Sequence, residues 1–222
     1  MTESILVVAN GEPPSPSLLQ RLIQTHAYLV AVDGGLKSCL EAKLEPQLLI
    51  GDFDSVTDEE RRQFSHIRQI HTPDQNKSDL EKTLSYLFDS GAKTITVCGA
   101  IGKRLDHTLT NICLLSRYPD KVKFETDHES CFALTKSSVI KCHVGQILSL
   151  IPASTRVTRI FTQGLKWELT GDVLSKEFVS ISNVCLQKEI SISFKTGDLI
   201  ACLIHSESTH EPDKGCNRSQ SS

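Results

Sequence analysis

Acidic side chains follow one apolar segment after another in the first half of the chain. In LIGDFDSV, residues 49–56, Asp52 and Asp54 come directly after a run of apolar residues that is typical of a buried strand. Two carboxylates about 4 Å apart repel each other by about 4 kcal/mol at an effective dielectric constant near 20, so a cluster of them requires a cation or a proton. Other predicted strands are followed by further polar side chains, which are Asn10, Asp33, Asp74, Asp79 and Asp106.

These candidate ligands are all oxygen donors, which favours Mg²⁺ or a similar hard cation over zinc. Because Mg²⁺ in proteins usually takes only one or two carboxylates together with substrate phosphates, we expect a polyphosphate to supply the remaining ligands. Taken singly, each acid could equally cap a helix or stabilise a turn. The hypothesis of a shared site therefore depends on whether the acids converge.

The segment GAIGKR, residues 99–104, offers groups that could bind phosphate. It places two glycines, Lys103 and Arg104 at the start of a predicted helix, where an anion is favoured, and Lys77 stands on a neighbouring loop. The chain contains neither GxxxxGK[ST] nor GxGxxG. Lys103 and Arg104 could instead lie in a solvated turn.

Residues 1–127 alternate short apolar segments with amphipathic ones, which predicts an α/β domain. The apolar segments indicate strands at residues 5–9, 28–32, 47–51, 68–72, 94–99 and 121–126, of which 68–72 is the least apolar and is expected nearer an edge. Such alternation is typical of βαβ units and of a mostly parallel, Rossmann-like sheet. In that sheet the carboxyl ends of the strands lie along one edge, where open α/β sheets bind ligands.

Helix start signals and apolar stripes mark the helices between these strands. The start signals are Ser15 with Pro16, Thr57 with Glu60, and Ser78 with Glu81. The helix after Ser78 is expected to bury Leu80, Leu84, Leu87 and Phe88. The helix over residues 104–117 is expected to bury Leu105, Leu109, Ile112 and Cys113.

The pattern changes after about residue 127. Residues 128–206 consist of short segments rich in β-branched residues, such as EISISFK, in which Ile190, Ile192 and Phe194 alternate with polar residues. This pattern predicts an all-β sandwich or barrel. Residues 207–222 are polar, and we expect a disordered tail.

Composition narrows the classes of function. The formal net charge is −3, which gives no electrostatic basis for binding nucleic acid or an anionic membrane. No apolar run reaches the roughly 18 residues of a membrane span, and the first residues do not resemble a signal peptide, so a cytoplasmic protein is expected. The eight cysteines include no CxxC pair, and we interpret them as small buried residues in a reducing compartment.

Six motifs follow one another along the chain, and they are AVDGGL (31–36), LIGDFDSV (49–56), DQNKSD (74–79), GAIGKRLDH (99–107), GLKW (164–167) and SISN (180–183). Together they resemble the motifs of the thiamine pyrophosphokinase family. Each motif alone is weak, but all six stand in the family's order and cover most of the predicted folded chain. The resemblance implies an N-terminal ATP-binding α/β domain, a C-terminal thiamine-binding β-sandwich and a homodimer with thiamine bound between subunits.

The resemblance also implies a reaction and a set of site residues. The family transfers the β,γ-pyrophosphoryl group of ATP to the thiamine hydroxyl, which gives thiamine diphosphate and AMP. By position in the motifs, Asp52, Asp54 and Asp79 would hold Mg²⁺ and the triphosphate, with Asp33 supporting them. The expected ATP-binding residues are Asn10, Asp74, Gln75, Lys77, Lys103, Arg104, Asp106 and His107. Trp167 would stack on thiamine, with Ser182 and Asn183 near its ring, although a tryptophan here could also be an ordinary core residue.

The chain departs from the family pattern at Asn76, where the family usually has aspartate. Asn76 keeps an oxygen but loses the charge, which puts its role as a direct metal ligand in doubt. Two other classes of function therefore stay open. One is a different Mg²⁺-dependent pyrophosphokinase or a phosphoester hydrolase on the same scaffold, and the other is a non-catalytic thiamine or nucleotide sensor. Release of AMP that depends on thiamine would separate them.

Overall fold

The computed structural model describes residues 4–53, 62, 64–73 and 76–205. The helices in these ranges are α1 (Pro16–Ile23), α2 (Gly35–Glu41), α3 (Asp79–Asp89) and α4 (Leu105–Arg117). The strands of the first half are β1 (Ser4–Val8), β2 (Tyr28–Val32), β3 (Leu48–Gly51), β4 (Arg68–His71), β5 (Thr94–Cys98) and β6 (Val122–Glu125). Those of the second half are β7 (Glu129–Leu134), β8 (Ser138–Lys141), β9 (Ile147–Pro152), β10 (Arg156–Gln163), β11 (Thr170–Ser175), β12 (Ser180–Val184), β13 (Glu189–Ser193) and β14 (Leu199–Ile204).

Strands of both halves form one large mixed sheet. Its order within the described residues is β12-β9-β14-β7-β6-β5-β1-β2-β3-β4. Strands β1 to β6 pair in parallel, whereas β7, β14, β9 and β12 continue the sheet antiparallel from β6. The predicted parallel sheet is thus confirmed in its coarse form, and β4 lies at an edge as its less apolar sequence indicated. The predicted domain boundary at residue 127 falls in the turn between β6 and β7, and it stays a prediction.

Helices cover both faces of the parallel part and pack on it through apolar side chains. On one face, Leu18, Leu19 and Leu22 of α1 pack with α2 against β1 to β3. On the other face, Leu84 and Leu87 of α3 pack with residues of α4 in a second core cluster. The Ser78 hydroxyl accepts a hydrogen bond from Glu81 N at 3.2 Å, which confirms the predicted start of α3.

The predicted inner stripe of α4 is wrong. Leu105 and Leu109 are 72% and 56% exposed, Ile112 is 36% exposed, and Cys113 is exposed as well. The helix buries Asn111, Leu114 and Leu115 instead. Because α4 carries apolar residues on two different faces, its periodicity alone did not show which face packs on the sheet.

A second, antiparallel sheet in the order β11-β10-β13-β8 completes the all-β half. It packs on β9 and β14 through a separate core cluster that contains Leu148, Leu150, Ile190 and Ile192. This arrangement agrees with the predicted sandwich, except that one of its two sheets is the continuation of the α/β sheet. None of the described helices is long and apolar enough to cross a membrane. The predicted disordered tail and the Thr57–Glu60 helix start lie outside the described residues.

Candidate active site

A cleft of about 350 Å³ lies at the carboxyl ends of β1 and β5. From β1 the sheet runs through β2, β3 and β4 in one direction and through β5 and β6 in the other, so the strand order reverses between β1 and β5. Open α/β sheets bind ligands at such a switch point. The lining includes Asn10, Asp33, Asp79, Lys103, Arg104, His107 and Asn111.

Asp33 lines the cleft, and the residues on either side of Asp52 hold the Asp33 carboxylate in place. It has a left-handed backbone with φ of 46°, and its side chain is buried, with 4% exposed. Its Oδ1 accepts a hydrogen bond from Phe53 N at 3.0 Å. A Cβ on Gly51 would lie 1.9 Å from the same oxygen, so only glycine leaves room for the carboxylate.

Three of the predicted acids converge. Asp33, Asp52 and Asp79 each offer a carboxylate oxygen, and these oxygens all lie within 4.8 Å of one another. They come from the ends of β2 and β3 and from the first residue of α3, where the positive end of the helix favours an anion. The set of three hard oxygen donors fits Mg²⁺ in chemistry and in spacing.

Lys82 is a site residue that the sequence analysis missed. Its Nζ lies 2.6 Å from Asp79 Oδ1 and donates a hydrogen bond to Thr72 O at 2.8 Å, and only 9% of its side chain is exposed. The signal was present in the sequence, because Asp79 and Lys82 stand three residues apart on a predicted helix. Asn111 was also missed; it is buried on α4, and its Nδ2 donates to Ala100 O at 2.7 Å.

Basic groups line the opposite side of the cleft. Lys103 Nζ donates to Asn10 O at 3.2 Å and to Asn10 Oδ1 at 3.1 Å, which ties the loops after β5 and β1 together. Arg104 lies at the start of α4 and forms two hydrogen bonds with Asp106, 3.1 Å from Nε and 2.6 Å from Nη2. His107, one turn along the helix, is a lining residue.

Asp106 is not among the lining residues, but its carboxylate pairs with Arg104, which is. Its carboxylate also accepts a hydrogen bond from His107 N at 3.0 Å. The hydrogen bonds from Arg104 lower the pKa of Asp106 from 3.8 to about 2. Both side chains are solvent-exposed, so pairing with Asp106 orients the Arg104 guanidinium at little cost in desolvation.

The remaining predicted residues of this edge are not part of the cleft lining that the structure describes. Asp54, Asp74 and Gln75 lie outside the described residues. Lys77 is exposed, one residue before the cap of α3, and does not line the cleft. Their assignment to ATP or metal binding stays a prediction.

Trp167, Ser182 and Asn183 form a second group on the all-β half. Asn183 is buried, with 3% exposed, and its side chain makes two hydrogen bonds with the Trp167 backbone. Its Oδ1 accepts from the Trp167 N–H at 3.1 Å, and its Nδ2 donates to the Trp167 carbonyl at 2.7 Å. The Trp167 ring is 56% exposed, so it is not an ordinary core residue. Ser182 has φ of 56° in an irregular stretch of β12, and its N–H donates to Ser149 Oγ at 3.0 Å.

Within one chain the two groups are far apart. Strand β12 lies at one end of the large sheet, six strand positions from β1. At about 4.8 Å per strand this separation is roughly 29 Å. The described part of a single chain therefore does not bring Trp167 to the acidic cleft.

Comparisons with known proteins agree with this architecture. Residues 19–138 match the family model described as thiamin pyrophosphokinase, catalytic domain, and residues 137–199 match that described as thiamin pyrophosphokinase, vitamin B1 binding domain. The chain is 26% identical over 207 residues to a thiamine pyrophosphokinase of Bacillus subtilis (strain 168), covering 89% of this chain and 97% of the relative. It is 26% identical over 217 residues to thiamin pyrophosphokinase 1 of Caenorhabditis elegans, covering 86% and 88%.

A solved structure shows the same fold. The crystal structure of a thiamin pyrophosphokinase from Geobacillus thermodenitrificans superposes with a TM-score of 0.81 at 26% identity, covering 92% of this chain and 99% of that one. The first family model alone spans more than half of the chain, and its residues include the three converging acids. This chain belongs to the thiamin pyrophosphokinase family.

Proposed function

We propose that the protein is a thiamine pyrophosphokinase, which transfers the β,γ-pyrophosphoryl group of ATP to the thiamine hydroxyl and releases AMP. The observation that carries the proposal is the convergence of Asp33, Asp52 and Asp79 beside the switch-point cleft, which Asp33 and Asp79 line, in a chain of this family. Three carboxylates at this spacing suit a cation with a polyphosphate. The described cysteines are free thiols, which is consistent with the expected cytoplasmic location.

Mg²⁺ is the expected metal, held by Asp52 and Asp79, with Asp33 beside them and Asp54 as a further predicted ligand. When bound, the ion would neutralise charge on the triphosphate. The chain's own residues supply the geometry: Gly51 and Phe53 fix Asp33, and Ser78 fixes the start of the helix that carries Asp79. Catalysis would rest mainly on positioning and charge neutralisation, as in other phosphoryl transfers.

ATP would lie across the β1–β5 switch point of this Rossmann-like half. The triphosphate would lie between the acids and the basic side of the cleft, where Lys103 and Arg104 offset its charge. Asp106 keeps the Arg104 guanidinium in one orientation. An arginine held in this way loses less side-chain entropy when it binds phosphate.

Thiamine would bind at Trp167. Its cationic, aromatic structure suits an exposed indole ring, which attracts cations to its face. Lys166 Nζ lies 4.7 Å from the centre of the Trp167 ring. A stacked thiamine would therefore use the opposite face or displace Lys166, and the backbone clamp from Asn183 would hold the ring in place.

The distance between Trp167 and the cleft favours a homodimer in which each active site uses both subunits. The apolar residues that α4 exposes begin beside the cleft at Leu105 and continue through Leu109 and Ile112. On the same side of the sheet, β9 exposes Ile147 and Ile151, whose neighbours Leu148 and Leu150 point into the sandwich core. A second copy on this surface would bury the apolar side chains and cover the mouth of the cleft.

Two measurements test the proposal. Incubation with ATP, Mg²⁺ and thiamine should yield AMP and thiamine diphosphate in equal amounts, and omission of thiamine should abolish AMP release. AMP formed equally well without thiamine would indicate a hydrolase, and thiamine binding without AMP would indicate a sensor.

The shared active site is tested by mixing two impaired variants, Asp52→Asn and Trp167→Ala, and assaying them at a thiamine concentration well below the KM. If each site uses both subunits, randomly mixed dimers regain about a quarter of the wild-type activity, because half are hybrids and each hybrid has one intact site. If both groups act within one chain, the mixture shows only the average of the activities of the two variants. Size measurement by light scattering shows whether dimers form at all.

A further inference from the structure

Two cysteines face each other across neighbouring strands of the large sheet, away from the cleft. Cys131 on β7 and Cys202 on β14 are direct register partners, and their sulfur atoms lie 3.2 Å apart. Both are partly buried against the core beneath α4. Paired residues on antiparallel strands have Cα atoms about 4.5–5.5 Å apart, which is within the range that a disulfide spans.

The sulfur spacing favours a covalent pair over a metal site. A Glu129 carboxylate oxygen lies within 4.8 Å of both sulfur atoms, so a thiophilic cation is the alternative occupant. Two thiolates on a tetrahedral zinc ion at about 2.3 Å would lie about 3.8 Å apart. The thiols are already closer than that, and a disulfide needs only a further approach of about 1 Å.

The two thiols are chemically unequal. Cys131 donates its S–H to Cys202 Sγ. This hydrogen bond lowers the pKa of Cys202 and, together with burial, raises that of Cys131. Cys202 is therefore the better nucleophile of the pair, because the thiolate is the reactive form.

We propose that Cys131 and Cys202 are a modification site, which low-molecular-weight disulfides such as glutathione disulfide convert into a cross-strand disulfide. The Cys202 thiolate attacks one sulfur of the reagent, whose S–S bond breaks and releases one thiol. Cys131 then attacks Cys202 Sγ, forming the protein disulfide and releasing the second thiol. The two protein sulfurs are oxidised, the two reagent sulfurs are reduced, and the two thiol protons end on the released thiols.

A row of register partners links this pair to the proposed thiamine site. Cys202 pairs on its other side with Ser149 of β9, and Ser149 Oγ accepts the hydrogen bond from Ser182 N at 3.0 Å. Closing the disulfide draws Cys202 towards Cys131 and changes the packing beside Ser149. This consequence rests on the proposed function, and the expected effect is about a fivefold weaker affinity for thiamine, the change expected when one hydrogen bond of ordinary net strength is lost.

The test treats the full chain with glutathione disulfide and measures the intact mass, the linked peptides and thiamine binding. Apart from glutathione adducts on exposed thiols such as Cys113, the wild-type protein should lose two hydrogen atoms, show a β7–β14 peptide link, bind thiamine more weakly and recover with dithiothreitol. Cys131→Ser and Cys202→Ser should not form the link. Cys113→Ser, which removes an exposed thiol elsewhere, should behave like the wild type.

The outcomes separate the two parts of the inference. Absence of the link when Cys113 is fully modified overturns the site. A link with unchanged thiamine affinity overturns the coupling to Ser182. Reduced protein that binds no thiamine contradicts the proposed function instead, since the peptide link is measured without any substrate.

Discussion

Asp33 Oδ1 occupies the space that a Cβ on Gly51 would need, at a distance of 1.9 Å. Asp33 follows β2 and Gly51 is the last residue of the neighbouring parallel strand β3, so the contact fixes the Asp33 carboxylate beside the segment that carries Asp52. The hydrogen bond from Phe53 N to the same oxygen has the same effect. The acids therefore converge because neighbouring strands end at the same edge of the sheet and because Gly51 has no side chain to displace the Asp33 carboxylate.

Gly51→Ala should damage the site more than the fold. Overpacking of this kind costs about 1–3 kcal/mol, and here it displaces a carboxylate of the proposed metal site. We expect weaker Mg²⁺ binding by calorimetry and a lower kcat/KM. Gly145→Ala is the matched control, because Gly145 also has positive φ but a Cβ there meets nothing within 4 Å. Equal Mg²⁺ affinities in the two variants would show that the contact with Asp33 is not functional.

Lys82→Met should lower the free energy of unfolding by an amount that depends on Mg²⁺. The substitution leaves Asp79 without its cation and Thr72 O without its donor, at a cost of about 2 kcal/mol. Added Mg²⁺ should restore part of this loss, because the ion takes over the neutralisation of Asp79. Denaturant unfolding with and without Mg²⁺ measures both values. A loss that Mg²⁺ does not change would mean that Lys82 supports the fold alone.

Trp167→Ala should raise the KM for thiamine by about tenfold, equivalent to about 1.4 kcal/mol, and leave the KM for ATP unchanged. Asn183→Ala should act in the same direction, because it releases the backbone that positions the ring. Trp167→Phe should recover part of the affinity. Phe161→Ala, which removes another exposed aromatic ring, is the control. If the ATP constant changed instead, the assignment of thiamine to Trp167 would be wrong.

The Arg104–Asp106 pair should respond to pH in a defined window. Because the folded-state pKa of Asp106 is lowered to about 2, its contribution to stability is present above pH 3.8 and is lost as the pH falls towards 2. An NMR titration of the Asp106 carboxyl should show a midpoint near 2, and Arg104→Met should move it back towards 3.8. A wild-type midpoint near 3.8 would mean that Arg104 is not held by Asp106 in solution.

The sequence predicted local features well and long-range pairings poorly. Apolar runs and the Ser78 cap located the parallel strands and α3, because strand alternation and helix capping are set by neighbouring residues. The continuation of the sheet from β6 into β7 and the facing of Cys131 and Cys202 depend on register between strands, which no local pattern encodes.

For the candidate site as well, the sequence predicted what depends on neighbouring residues and not what depends on tertiary packing. The positions of the acids after each strand predicted that Asp33, Asp52 and Asp79 would share an edge, and the structure brings them together. Lys82 was not predicted because it lies within α3, three residues after Asp79, and not at the end of a strand where the other candidates stand. On α4, the exposed Leu105 and Leu109 have the same helical spacing as residues that pack in a core. Only the tertiary packing distinguishes an exposed apolar face from a buried one.

The most direct test of the central claim is the rate of AMP and thiamine diphosphate formation by Asp52→Asn over a range of Mg²⁺ concentrations. Loss of one carboxylate from the group of three should lower turnover by about a hundredfold or more and weaken the response to Mg²⁺, while the circular dichroism spectrum stays unchanged. Asp89→Asn, which alters an exposed acid at the far end of α3, should match the wild type. Normal turnover and an unchanged Mg²⁺ response in Asp52→Asn would contradict the account.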